Sequence, residues 1–171
     1  MKKILSVLAL LLVVAGCSNA PAENENTPNE NQPAAITTLD TVTFADELEN
    51  TETVKVYVND SADTSKTLVE AYLDADSADL KTVVVDTLKS LTLEESSDQE
   101  KVYGTPYFMI DLNSALDSNY VRFAVFEDTV VIQTKESYVN YTLDDASAET
   151  INTLTSSIYQ AFVQAFASEE E

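Results

Sequence analysis

The chain has 171 residues, with 30 acidic side chains against 9 basic ones, no histidine, no tryptophan and a single cysteine. Its formal charge of −21 repels nucleic acid and anionic head groups, which speaks against a nucleic-acid partner. Without histidine, and with two glycines in all, the usual zinc sites, Ser-His-Asp triads and glycine-rich phosphate loops have no residues to build them.

Met1-Lys2-Lys3 is a short basic start, and Ile4 to Val14 is an uncharged apolar run. Eleven residues are too few for a hydrocarbon core that needs roughly 20. A basic start, a short apolar run and small residues at its end describe an export signal. The run closes in Val14-Ala15-Gly16-Cys17, which resembles the lipobox of bacterial lipoproteins. The resemblance implies recognition of Val14, Ala15 and Gly16 by the signal peptidase, with cleavage before Cys17. It also implies a diacylglyceryl group, with palmitate-type chains, on the Cys17 thiol. More than one acyl chain is needed for stable anchoring, and lipoprotein modification supplies two or three. The expected partner of the N-terminus is therefore the membrane, at the outer face of the cell membrane.

Loss of residues 1–16 removes Lys2 and Lys3 and moves the charge to −23. With Cys17 acylated, no thiol is left for a disulfide, so the fold must rest on an ordinary apolar core. The next segment, from Cys17 to residue 37, is rich in Asn, Glu and Pro and has almost no large apolar residue. It reads as a flexible acidic tether, with a mean reach of about 25 Å. Residues 38–168 form the expected single domain, and 169–171 an acidic tail.

Thr43 to Asn50 reads as a short helix, with Thr43 as N-cap and Phe44 and Leu48 on one face. Thr53 to Asn59 alternates Val54, Val56 and Val58 with Lys55 and Tyr57, the period of a half-buried strand. A turn-rich NDSADTS follows, and Lys66 to Leu73 completes a hairpin. Leu80, Val83, Val84, Thr87, Leu88 and Leu91 then mark a helix that Asp76 or Ser77 caps. A polar loop (Glu94 to Lys101) leads to three strands at Tyr107–Leu112, Tyr120–Phe126 and Thr129–Lys135, and Tyr138 to Leu143 adds a fourth. An amphipathic helix from Ala146 to Ala167 closes the chain, with Ile151, Leu154, Ile158, Phe162 and Ala165 as its stripe. The expected fold is α+β in two layers: an antiparallel sheet of five to six strands with two amphipathic helices, in the order β-β-α-β-β-β-(β)-α.

Asp74, Asp76 and Asp79 are the candidate weak cation site. Asp74 and Asp76 match positions 1 and 3 of a calcium loop, but Asp79 stands where the invariant glycine belongs and Val85 where the bidentate glutamate belongs. The alternative reading is a helix start rich in acceptors for free amides. Arg122, the sole arginine, either pairs with a neighbouring acid or grips an anionic ligand. Tyrosines such as Tyr57 and Tyr107 alternate with the apolar residues of their strands. They fit either a recognition surface on the sheet or ordinary strand propensity.

The order VKVYV, helix, YFMIDL, YVRFAVF, TVVIQTK resembles small lipoprotein domains of unknown function from Gram-positive bacteria. VKVYVND followed by LVEAYL and a helix is also similar to the GerMN sporulation and germination domain, from which the later meander departs. Neither resemblance assigns a functional residue. The expectation is a lipid-anchored, extracytoplasmic, non-enzymatic module without a cofactor, which binds a protein or another component of the cell envelope. The alternatives are a carboxylate-dependent envelope enzyme, or a lipoprotein that binds a weak cation or a small solute.

Overall fold

A computed structural model describes residues 39–168. The lipobox, the tether up to residue 37 and the 169–171 tail lie outside the described residues.

The described chain begins with a helix, α1 (Thr41–Asn50), followed by the hairpin β1 (Val54–Asn59) and β2 (Thr67–Leu73). A single 3-10 turn (Ala75–Ser77) runs into α2 (Ala78–Ser90). Then come β3 (Glu94–Glu95), β4 (Phe108–Asp111), β5 (Val121–Val125), β6 (Thr129–Thr134), β7 (Tyr138–Thr142) and α3 (Asp145–Ser168). All seven strands join one antiparallel sheet in the order β2-β1-β4-β5-β6-β7-β3. The two-layer α+β architecture holds, with one more strand than the five or six expected, and α1 is the short helix read at Thr43 to Asn50 beside the two amphipathic ones. The additional strand is β3, two residues within the polar loop that pair with Thr142 and Tyr141. Two exposed glutamates carry no strand period, so only the pairing reveals them.

One face of the sheet holds the core. Val54, Val56 and Val58 alternate inward on β1, and Phe108, Ile110, Phe123, Val125, Val130 and Ile132 continue the same face by register. The helices supply Phe44 and Leu48, Val84 and Leu88, and Ile151, Leu154 and Ile158 to this layer. Phe44 lies against Phe123 at 5.5 Å between ring centroids, and Phe108 meets Phe123 edge-on at 6.5 Å. Such aromatic contacts add specific geometry to a large buried area. Phe162 packs against the core from α3, while the side chain of Ala165 lies outside the described residues.

Three local expectations are corrected. The N-cap of α1 is Asp40, not Thr43: its Oδ1 accepts from Thr43 N at 2.7 Å. A carboxylate at the positive end of a helix is favoured by the macrodipole, and Asp40 is the last extended residue before the turn. In α2 the buried valines are Val84 and Val85, and Val83 is exposed. Three consecutive valines put an apolar group on several faces at once, so composition alone does not choose the buried side. Finally, of the two caps offered for α2, Ser77 holds the N-cap position, but its side chain caps no amide of α2 and instead bonds Asp74, which caps the preceding 3-10 turn.

α1 has no basic residue in its last turn, yet its C-terminal end is not left bare. Lys81 of α2 reaches across, and its Nζ donates to the carbonyls of Glu49 (3.2 Å) and Thr51. Lys89 pairs with Asp46 and Glu49 at 2.7 and 3.1 Å. Cations at a helix C-terminus are stabilising, and here a second helix supplies them.

Candidate functional site

The face of the sheet opposite the helices carries the chemistry. Because a strand repeats every two residues, the register fixes which side chains stand side by side on that face. One row runs through six strands: Tyr72 opposes Lys55, Lys55 opposes Asp111, Asp111 opposes Arg122, Arg122 opposes Gln133, and Gln133 opposes Tyr138. The row beside it is Glu70, Tyr57, Met109, Ala124, Val131 and Asn140.

Arg122 forks onto Asp111, with Nε to Oδ1 at 2.7 Å and Nη2 to Oδ2 at 2.8 Å. The side chains are 32% and 13% exposed, and the carboxylate holds the guanidinium pKa above its usual value. Of the two readings of Arg122, the structure shows the acid pair. Lys55 Nζ meets Glu70 at 2.8 Å and lies 4.6 and 5.8 Å from the ring centroids of Tyr57 and Tyr72. The Glu70 carboxylate, then the Tyr57 hydroxyl, keep the ammonium pKa above the ordinary lysine value. Arg122 likewise lies 5.5 Å from the Tyr120 ring. The cations of the row are thus held between acids and aromatic rings.

A shallow hollow of about 360 Å³ opens over this end of the sheet. Its floor is Lys55, Tyr57, Tyr72 and Asp111, and its rim is the turn at Asn113–Ala115. Asn113 has a φ of +129°, a backbone conformation that favours glycine, and its Nδ2 donates to Asn119 O at 3.1 Å.

At the other end a strap covers the face. Residues 96–106 run from β3 to β4 and are pinned by three strand residues. Asn140 Nδ2 donates to the carbonyls of Asp98 (3.1 Å) and Glu100 (2.8 Å), while Asn140 N donates to Gln99 Oε1 at 2.8 Å. Tyr138 Oη accepts from Val102 N at 2.8 Å, and Asn59 Nδ2 donates to Pro106 O at 2.8 Å. Ala124, Val131 and Asn140 are buried even though they face away from the helices. Of the tyrosines that fit either a recognition surface or strand propensity, the structure leaves Tyr72 open and buries Tyr107. Tyr107, just ahead of β4, packs with the core cluster and is only 8% exposed, whereas Tyr72 is 58% exposed. Burial raises the pKa of Tyr107 to about 12, and burial with the nearby Asp111 charge does the same for Tyr120.

The acidic triplet follows β2 and leads into α2. Asp74 Oδ1 accepts from Asp76 N at 3.0 Å, and Ser77 Oγ in turn accepts from Asp74 N at 2.7 Å, which closes a capping box. Asp76 lies in that 3-10 turn and Asp79 in the first turn of α2. Among the described residues, no group of three or more His, Cys, Asp or Glu side chains is placed to hold a metal ion.

The row across six strands was not foreseen. Its members are separated by up to 83 positions in sequence, from Lys55 to Tyr138, and only the pairing register brings them together. The signal available was Arg122, alone among valines and a phenylalanine on a strand.

Among the described residues, no helix is long and apolar enough to cross a membrane. No curated protein and no solved structure matches the chain. Residues 1–18 do match the model of the prokaryotic membrane lipoprotein lipid attachment site, a stretch that contains the chain's one cysteine. The chain therefore carries the lipobox of a bacterial lipoprotein, and with it a membrane anchor through an N-terminal lipid.

Proposed function

We propose that the protein is a non-enzymatic binding module, held at the extracytoplasmic face by acyl chains on Cys17, whose recognition surface for an envelope component is the open sheet face. The observation that carries this reading is the Tyr72-Lys55-Asp111-Arg122-Gln133 row. Each charge in it is paired, Lys55 and Arg122 are held against acids and aromatic rings, and the row stays partly open to solvent. Fixed polar groups beside aromatic rings lose little entropy on binding, which favours recognition. Carboxylate catalysis asks for a free acid facing a second one. Asp111, the acid that lines the hollow, has both oxygens on Arg122.

The test uses the full-length lipidated protein in detergent, sedimented with detergent-washed envelope material. Tyr72→Ala and Gln133→Ala should each reduce co-sedimentation several-fold, and exposed Val83→Ala on α2 should leave it unchanged. Retention indifferent to the row contradicts the proposal. So does turnover of envelope glycans or peptides that a carboxylate substitution abolishes.

A further inference from the structure

We infer that the open-face row binds an uncharged, hydroxyl-rich glycan segment lying across the strands, with its entry at the β2 end. This rests on the recognition role proposed above and names the ligand class.

The first argument is charge. Lys55 is paired with Glu70 of the neighbouring row and Arg122 with Asp111, so these four charges balance within a chain of formal charge −21. An anionic ligand would meet the negative field of the whole protein and find the charge of both cations already neutralised, though not all their donors used. A cationic ligand, though drawn by the net charge, would find both acids already neutralised by Lys55 and Arg122. An uncharged ligand disturbs neither pair.

The second is hydrogen-bond chemistry. An alcohol both donates and accepts, and it suits a place where donors and acceptors alternate. Asp111 keeps a second lone pair on each oxygen after accepting from Arg122. Arg122 has donors beyond the two that Asp111 uses, and Lys55 has donors beyond the one on Glu70. Gln133 adds an amide with both functions next in the row. Neighbouring hydroxyls on a sugar ring can therefore bridge acid, guanidinium and amide in turn.

The third is shape. Tyr72 and Tyr57, steadied by Lys55, give flat apolar surfaces for the C–H face of a pyranose ring. Five steps at the usual strand spacing make the row about 24 Å long, more than one sugar unit requires. At the β7 end, Tyr138 is tied to the strap, whereas Tyr72 on β2 is open. A chain of sugars would therefore enter over Tyr72 and run toward Gln133.

The experiment titrates the full-length lipidated protein in detergent with four probes. These are chitotetraose, cellotetraose, an anionic tetragalacturonate and an uncharged Gly-Ser-Thr hexapeptide. The chain has no tryptophan, so its tyrosine emission reports stacking directly, and calorimetry gives the affinity. The inference predicts saturable binding of at least one neutral oligosaccharide and a weaker response to tetragalacturonate. Tyr72→Ala should weaken the neutral ligand about tenfold. Arg122→Lys, which keeps the charge and loses the fork, should weaken it measurably, and Tyr103→Ala on the strap should not. The inference is overturned if no neutral oligosaccharide saturates, if Tyr72→Ala leaves the affinity unchanged, or if only the hexapeptide binds. If those results come with envelope co-sedimentation that still depends on Tyr72 and Gln133, the glycan assignment falls alone; loss of both removes the recognition role as well.

Discussion

Arg122 and Asp111 face each other across β5 and β4 and share two parallel hydrogen bonds of 2.7 and 2.8 Å. Adjacent strands place them in register, and the planar guanidinium matches both carboxylate oxygens at once. The pair is partly open to water, so its worth is below that of a fully buried one. A double-mutant cycle of Asp111→Ala and Arg122→Ala, read by urea denaturation, should give a coupling of about 1–2 kcal/mol. A coupling indistinguishable from zero would show that the fork is no more than a surface ion pair.

The strap depends on Asn140, which is 3% exposed and ties residues 98–100 to β7 by both side chain and backbone. Its Oδ1 has no partner in the structure, so the donated bonds do the holding. Asn140→Ala should cost about 1–3 kcal/mol, since the Asp98 and Glu100 carbonyls lose their donor. Hydrogen exchange should show faster opening at Val102 N, which bonds Tyr138 Oη, while β1 and β4 keep their protection. Uniform loss of protection over the whole sheet would contradict a local clamp.

Two groups of residues set the pH limits. Tyr107 and Tyr120 have folded pKa values of about 12 against an ordinary 10.0, so the fold favours their neutral form. That contribution is complete below pH 10 and is lost as pH rises toward 12. Asp144 moves the other way: the backbone amide of Ser147, then its hydroxyl, hold the Asp144 carboxyl below the ordinary 3.8. Its contribution is complete above the ordinary value and disappears as pH falls through the lowered one. Thermal unfolding followed across pH should therefore show a drop from pH 10 upward that Tyr107→Phe reduces. It should also show an acid-side drop that Asp144→Asn reduces. An unchanged alkaline limb in Tyr107→Phe would refute the burial argument.

The strands were legible from residues alone wherever one face is buried. Val54, Val56 and Val58 alternate with polar neighbours, and β1 follows them to within a residue. Helix ends were less legible. Asp40 and Thr43 are both good N-caps in isolation, and the entry of the chain decides between them; Tyr141 Oη donates to Leu39 O and fixes that entry. The candidate site was the least legible part. Arg122 and the tyrosines were visible as residues, but the row needs β1 to pair with β4 across an intervening hairpin strand and helix. A long-range pairing of that kind leaves no local period. Likewise, Ala124, Val131 and Asn140 are buried beside a strap whose polar sequence gives no sign that it crosses the sheet.

The anchor makes a separate claim. Cys17→Ala should abolish acylation and leave the protein either uncleaved or released into the medium. Mass spectrometry of the mature N-terminus should find acyl chains on the unsubstituted protein. Normal cleavage with full membrane retention in the variant would contradict lipid anchoring through Cys17.

The central claim is that the open sheet face does the binding. It is tested most directly by photo-crosslinking on intact cells, with the reactive group placed in turn at position 72, at position 133 and at the exposed α2 position 86. The account predicts adducts with envelope material from positions 72 and 133, and only background from position 86. Adducts from position 86 alone, or equal yields from all three positions, would contradict it.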